Sequence, residues 1–309
     1  MTRPKSSSRA RSEGRHLRIV GAAENSKASP HADVATGKWV DLVVLAGKPK
    51  QVLCRILGST REATLRVAAH DEVPGEIVTV IPTVVLAKAQ RTILEGKVQS
   101  RRIEADALGL VPLALHDRGE WDPDTEYWGE EGEPIEEWAR PIVARGRRPM
   151  FEFEQVIPGV DPGDFESDPI LDASELAAAG ARGRSRTLLM GLLAQDLRCL
   201  DAHAHLGNLE FERRPERALR HYRAGVEIGM LTLGRGFDGV LAWSLIDNRP
   251  FLRCLHGLGL CQWRIGETRE AAAVFRRMLC LNPGDNQGAR FNLPAVEAGK
   301  TWEEMEGDW

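Results

Sequence analysis

Hydrophobic positions change period once along this chain, near residue 172. Over about 37–115, apolar residues come in short runs: WVDLVVLAG, QVLCRILG, ATLRVAAH, GEIVTVIPTVVL and, less sharply, ILEGKVQ. Gly47-Lys48-Pro49, Gly58-Ser59 and Val73-Pro74-Gly75 cut them apart. Short β-branched runs bounded by Gly and Pro are strand signals, and their even spacing predicts a small antiparallel sheet or barrel. Over 172–309, apolar residues recur every three or four positions and Ala and Leu dominate. That period predicts one amphipathic helix after another. The expected fold class is therefore α+β, a small β-rich, barrel-like domain followed by a helical one.

The segment between them, 116–171, carries no clear period. Seven prolines (123, 134, 141, 149, 158, 162 and 169) argue against a long helix. From Asp117 to Glu137 there are ten acidic residues and one basic residue, Arg118. Trp121, Tyr127, Trp128 and Trp138 fall in or beside the same stretch. Solvated acidic tails are poor in aromatics, so the expectation is an extended strap held against a neighbouring domain by its tryptophans. The opening residues, 1–36, are basic and Ser-rich with no apolar run behind them, and read as a disordered arm rather than a secretory signal.

Within the helical part the chain repeats itself. In FLRCLHGLGLCQWRIGETREAAAVFRRMLCLNP, Leu258-Gly259 lie in a first helix, Gly266 ends it, Ala271 and Phe275 stand four apart in a second, and Pro283 closes the unit. Upstream, Leu206-Gly207 are followed by Ala218, Tyr222 and Gly225 at similar spacing, with Pro215 in a first helical turn. Small residues belong where paired helices cross closely, and Phe275 would fill the space between hairpins. A weaker unit, DASELAAAG followed by RSRTLLMGLLAQDLRCL, precedes these, with Asp172 or Ser174 as the expected N-cap. DNQGARFNLPAVEAG supplies a terminal cap.

This spacing resembles the tetratricopeptide repeat, strongly over about 200–283 and more loosely over 172–299. Asn248–Gly288 is similar, more narrowly, to a segment of suppressor-of-tumorigenicity-7-like proteins and related bacterial repeat proteins. The resemblance implies a superhelix whose concave face grips a peptide or partner helix. It transfers no chemistry. Gln262 replaces the aromatic expected after Leu-Gly, and Gly207 and Gly259 are 52 residues apart rather than 34. The extra 18 residues fall in LTLGRGFDGVLAWSLIDN, which is either a binding loop or a connection packed on the outside.

Composition changes this picture little. The chain has 309 residues, 42 % hydrophobic and 28 % charged, with net charge −4, as ordinary globular proteins have. No basic excess asks for a polyanionic partner. Cys54, Cys199, Cys254, Cys261 and Cys280 make no C-x2-C pair and read as small buried hydrophobes in a reducing compartment. No apolar run approaches the length of a membrane span. A cytoplasmic location is the expectation.

Candidate chemistry is sparse. His203 and His205, two apart on a helix, point to opposite sides and cannot share an ion. The acids of WDPDTEYWGEEGEPIEEW form no calcium-loop spacing. GLGLCQWRIG lacks the spacing of a phosphate loop. VPGEIVTVIP looks a little like a Pro-Gly-Glu turn of small RNA-binding barrels, but Trp39 is the zone's single aromatic for stacking. No catalytic residue, metal site or cofactor is expected.

The expected function is therefore a protein-interaction scaffold or adaptor, binding a peptide or partner through a short tetratricopeptide groove. Candidate contact residues are Arg217, Arg220, Arg223, Phe237, Trp243, Asn248, Arg249 and Arg253. The arginines of one hairpin, with Arg264, Arg269, Arg276 and Arg277, would also suit the acidic strap 117–138 as an intramolecular ligand. The alternatives are an RNA-associated protein using the barrel and basic arm, and an enzyme with a site between the domains.

Overall fold

The structure, a computed structural model, describes residues 34–306 apart from 49, 69–70, 89–90, 127, 129–131, 162 and 165–166. The expectations for the basic arm, save its last three residues, and for Tyr127, Glu130, Glu131 and Pro162 lie outside the described residues.

Five strands close the expected barrel: β1 (Val40–Lys48), β2 (Gln51–Ile56), β3 (Glu62–Arg66), β4 (Ile77–Lys88) and β5 (Arg91–Arg102). They run around it in the order β1-β2-β3-β5-β4, every pair antiparallel except β3 with β5. The sheet is thus not purely antiparallel, because β4 and β5 form a long hairpin wedged between β1 and β3. Leu42, Val44, Cys54, Leu65, Val78 and Leu94 fill the interior. Val43 and Ile77, cross-strand partners, face outward into the helical core instead. Burial on both faces explains why β1 reads as an unbroken apolar run rather than an alternating one. Pro82, which has no N–H to give, sits where the β4–β5 register shifts.

The segment after the barrel holds more regular structure than its prolines suggested. β6 (Leu115–Trp121) pairs antiparallel with β7 (Arg148–Phe153), and a short helix, α1 (Arg140–Val143), lies between them. Trp121 meets Trp128 edge-on at 6.2 Å, Trp128 meets Trp138 at 5.9 Å, and Arg148 stacks on Trp121. These contacts lie within the strap itself; towards the helical region, Arg290 lies over the Trp138 ring.

The helical region contains α2 (Pro169–Ala178), α3 (Arg182–Gln195), α4 (Leu200–Glu210), α5 (Pro215–Leu233), α6 (Arg249–Arg264), α7 (Thr268–Leu281), α8 (Ala289–Glu297) and α9 (Trp302–Glu306). The N-cap of α2 is Asp168, whose carboxylate accepts the Ile170 N–H at 2.8 Å, rather than Asp172 or Ser174. Pro169 at the first helical position favours the earlier start. Such a cap contributes about 1 kcal/mol.

Glycines set how closely these helices approach. A Cβ on Gly207 of α4 would lie 2.4 Å from the Tyr222 ring, and one on Gly257 of α6 would lie 2.3 Å from it. Tyr222 is therefore wedged between two helices, and its hydroxyl donates to Asn208 at 2.6 Å. Gly225 faces Cys254, Gly229 faces Phe251, and Gly259 of α6 faces Phe275 of α7, so Phe275 packs within its own hairpin, where the expectation had it filling the space between hairpins. Pairings of Tyr222 with Gly257, Gly225 with Cys254 and Gly229 with Phe251 run α5 antiparallel to α6.

Helices α4 and α6 lie side by side in parallel. Asp201 meets Arg253 at 2.9 Å and Glu212 meets Arg264 at 3.2 Å. Both pairs are 52 residues apart, the separation of Gly207 from Gly259. The residues between α5 and α6 leave the helical layer. Leu231–Leu233 complete α5, and the residues after them join the strap: Val240 exchanges backbone hydrogen bonds with Pro149 and Phe151.

Candidate functional site

Each sequence-derived contact residue has a definite place, and the eight fall into two groups. Arg217, Arg220 and Arg223 sit on α5. Arg217 is buried, with Glu210 at 3.9 Å and the Glu72 carbonyl at 3.5 Å. Arg220 grips Glu76 at 3.1 Å and Asp71 at 2.9 Å, both on the β3–β4 connection. Arg223 is more open, 3.9 Å from Glu267. The β3–β4 connection fits here because Gly75, at φ +88°, brings its backbone close to Ala224 and His203. Two arginines expected to hold an outside carboxylate therefore dock the chain's own barrel.

The second group lines the seam between strap and helices. Phe237 packs on Phe151 at 5.6 Å, and Trp243 lies under the guanidinium groups of Arg249 and Arg253. Asn248 is fully buried: its amide donates to Phe151 and Ala242 carbonyls, and its oxygen accepts the Phe153 N–H. Arg217 and Asn248 are thus enclosed, and neither has surface to offer a partner. The insert is fastened to β7, and among the described contacts the strap acids Glu120 and Asp122 pair with Arg147 of the strap itself. Where strap and array do meet, Arg290 lies over the Trp138 ring and Arg148 donates to the Cys280 carbonyl.

A large opening lies elsewhere. A groove of about 1080 Å³ separates the barrel from α3. One wall is the β1–β2 hairpin, with Lys48, Lys50 and Gln51. The opposite wall is one face of α3, where Gly183, Thr187 and Gly191 recur every fourth residue. Leu53, Ala63 and Met190 contribute apolar floor. A Cβ added at Gly183 or Gly191 would meet nothing within 4 Å, so this face of α3 borders open space.

Arg186 links this groove to a buried ionic cluster. It donates to Glu210 at 2.6 Å, and Arg214 claims the other oxygen of the same carboxylate at 2.7 Å. Burial, with the nearby charges of Arg217 and Arg214, pushes the Arg186 guanidinium down to about 10 despite Glu210. Glu210 is thus shared by Arg186 and Arg214, with Arg217 3.9 Å away.

The buried histidines behind it stay uncharged. His203 is held down at about 4 by burial, with Nε2 3.1 Å from the Leu197 carbonyl. His221 is pushed well below its usual value by burial and by Arg186, His203, Arg217 and Arg220. Burial likewise holds His256 at about 4. Among the described residues no group of three His, Cys, Asp or Glu side chains is placed to hold a metal ion, and no helix is long and apolar enough to cross a membrane.

Sequence reasoning did not find this groove. Its walls are more than 130 positions apart, and neither contains a motif. The available signal was the four-residue recurrence of small residues on α3, which reads equally well as an ordinary solvent face. No known protein-family model and no curated protein sequence matches the chain.

Proposed function

We propose that this chain is a tetratricopeptide-type binding protein, a scaffold or adaptor that holds a segment of a partner protein. The observation that carries this reading is the groove between the barrel and α3, open to solvent and lined mostly by small and apolar side chains. The repeat reading is supported by α4 and α6 meeting at a constant offset of 52 residues, and by small residues at the close helix crossings. The binding face differs from the one the resemblance implies. The seam at the starts of α4 and α6 is occupied by the chain's own β7 and insert, so the barrel and α3 offer the freer surface.

The RNA-associated reading fares less well at this groove. Among the described residues no aromatic ring lines it, and Trp39 is not one of its lining residues. Single-stranded bases are held largely by stacking on such rings.

Gly191→Trp tests the proposal. An added Cβ at Gly191 meets nothing within 4 Å, so the indole enters the groove without disturbing the helix. Gly236→Trp, also in open space but on the insert, is the control. A discrete partner that co-purifies with the full chain and with the Gly236 variant, and is lost from the Gly191 variant, is the expected result. Equal recovery with both variants would refute this reading.

A further inference from the structure

We infer that the groove between the barrel and α3 selects an acidic partner segment, a short peptide that alternates carboxylate and aliphatic side chains. This rests on reading the groove as a protein-binding site, and names what it binds. Three observations carry it.

The first is charge. Among the described residues, Lys48, Lys50 and Arg186 line the groove against one acid, Glu62. The cations stand on both walls, so a segment lying between them meets positive charge from either side. Arg186 brings the field of the buried cluster with it, where Glu210 is shared between Arg186 and Arg214. An anionic residue above Arg186 would relieve crowding that burial otherwise makes costly.

The second is a strained turn. Lys50 holds φ +65° at the tip of the β1–β2 hairpin. A lysine there is less comfortable than Gly or Asn, by roughly 1 kcal/mol. The strain sits on a cation at the groove's edge, as expected where a side chain is kept for its charge.

The third is the floor. Leu53, Ala63, Ala68 and Met190 give it apolar surface, and no aromatic ring joins them among the described residues. Such a floor accepts aliphatic side chains and gives bases nothing to stack on. The volume, about 1080 Å³, slightly exceeds the ~300–1,000 Å³ range of small-molecule sites and leaves room for several peptide residues.

The test uses the full chain against a random-peptide display library. The expected outcome is enrichment of sequences that place Asp or Glu beside Leu, Ile or Val. A synthetic peptide of the enriched sequence should bind less tightly as salt rises, since its charges pair near the surface. The double variant Lys48→Glu/Lys50→Glu should weaken that peptide at least tenfold and favour its Lys-substituted counterpart. Circular dichroism would confirm that the variant is folded.

Enrichment of peptides without acids, or affinity indifferent to the charge reversal, overturns the acidic selectivity and leaves the scaffold reading standing. If no enriched peptide is displaced by Gly191→Trp, both fall. Two further arms cover other occupants. A fluorescent oligouridine bound through Lys48 and Lys50 would replace the peptide with RNA. Light scattering that showed a dimer lost in the Gly191→Trp variant would replace it with a second copy of the chain.

Discussion

Gly257→Ala should destabilise this protein even though alanine is the better helix former. A Cβ at position 257 would lie 2.3 Å from both Cε1 and Cζ of Tyr222, against roughly 3.4 Å or more for ordinary contact. The ring would have to retreat by about 1 Å. Gly207 of α4 runs so close to the same ring atoms that a Cβ there would lie 2.4 Å away, and the hydroxyl is tied to Asn208 at 2.6 Å. Overpacking of this kind costs about 1–3 kcal/mol, and a broken hydrogen bond adds about 1 kcal/mol. Helix propensity returns about 1 kcal/mol. The net is a loss of about 2 kcal/mol, or roughly 3 °C in Tm at this chain length. Tyr222→Val removes the ring atoms that clash, so adding Gly257→Ala to it should be neutral or stabilising by up to about 1 kcal/mol. Urea unfolding of the four proteins, followed by tryptophan fluorescence, gives the coupling directly. An equal cost of Gly257→Ala in both backgrounds would refute the wedge.

Three further outcomes are expected from the same structure. Folded His203 and His256 are held near pH 4 while unfolded histidine titrates near 6.5, so stability is full above about pH 6.5 and falls as pH drops towards 4. Each histidine accounts for about 2 kcal/mol of loss by pH 5, and His256→Leu should show that much less loss between pH 7 and pH 5 in denaturant titrations. Arg220→Leu strands the buried carboxylate of Glu76 and should cost about 3 kcal/mol, with Glu76→Gln in the same background recovering most of it. Cys54, Cys199, Cys254 and Cys261 are buried and Cys280 is half-buried. Ellman's reagent should therefore label Cys280 first in the native protein and reach all five thiols only after unfolding; rapid labelling of several thiols in the native state would contradict this packing.

The candidate site was far less legible than the fold. Arg217, Arg220, Phe237, Trp243 and Asn248 stood out in sequence as chemically expressive residues in a repeat, and expressive residues suit internal docking as well as outside partners. Arg220 meets Glu76, 144 positions earlier, and Asn248 meets Phe151 and Phe153, about 95 positions earlier. Pairing over such distances leaves no periodic trace, because each partner sits in an element whose own pattern is complete without it. Lys48, Lys50 and Arg186 were missed for the converse reason. Each is an ordinary charged residue locally, and they acquire meaning only when the hairpin and α3 face one another across open space.

The sequence by itself determined the local order of this protein. Strand runs of β-branched residues, the change to a helical period near 172, Pro215 opening α5 and Gly266 closing α6 are all consequences of interactions within a few turns of chain. Even the 52-residue offset of the stack could be counted from two glycines. The tertiary structure decided what covers what. It turned Val43 and Ile77 outward so that barrel and helices share a core, and it drew the insert onto β7. It set the barrel's acids against the arginines of α5 and left the groove beside α3 open. The physical reason is that periodicity records which face of an element is buried, whereas the partner that buries it is chosen by charge and shape between segments far apart in the chain.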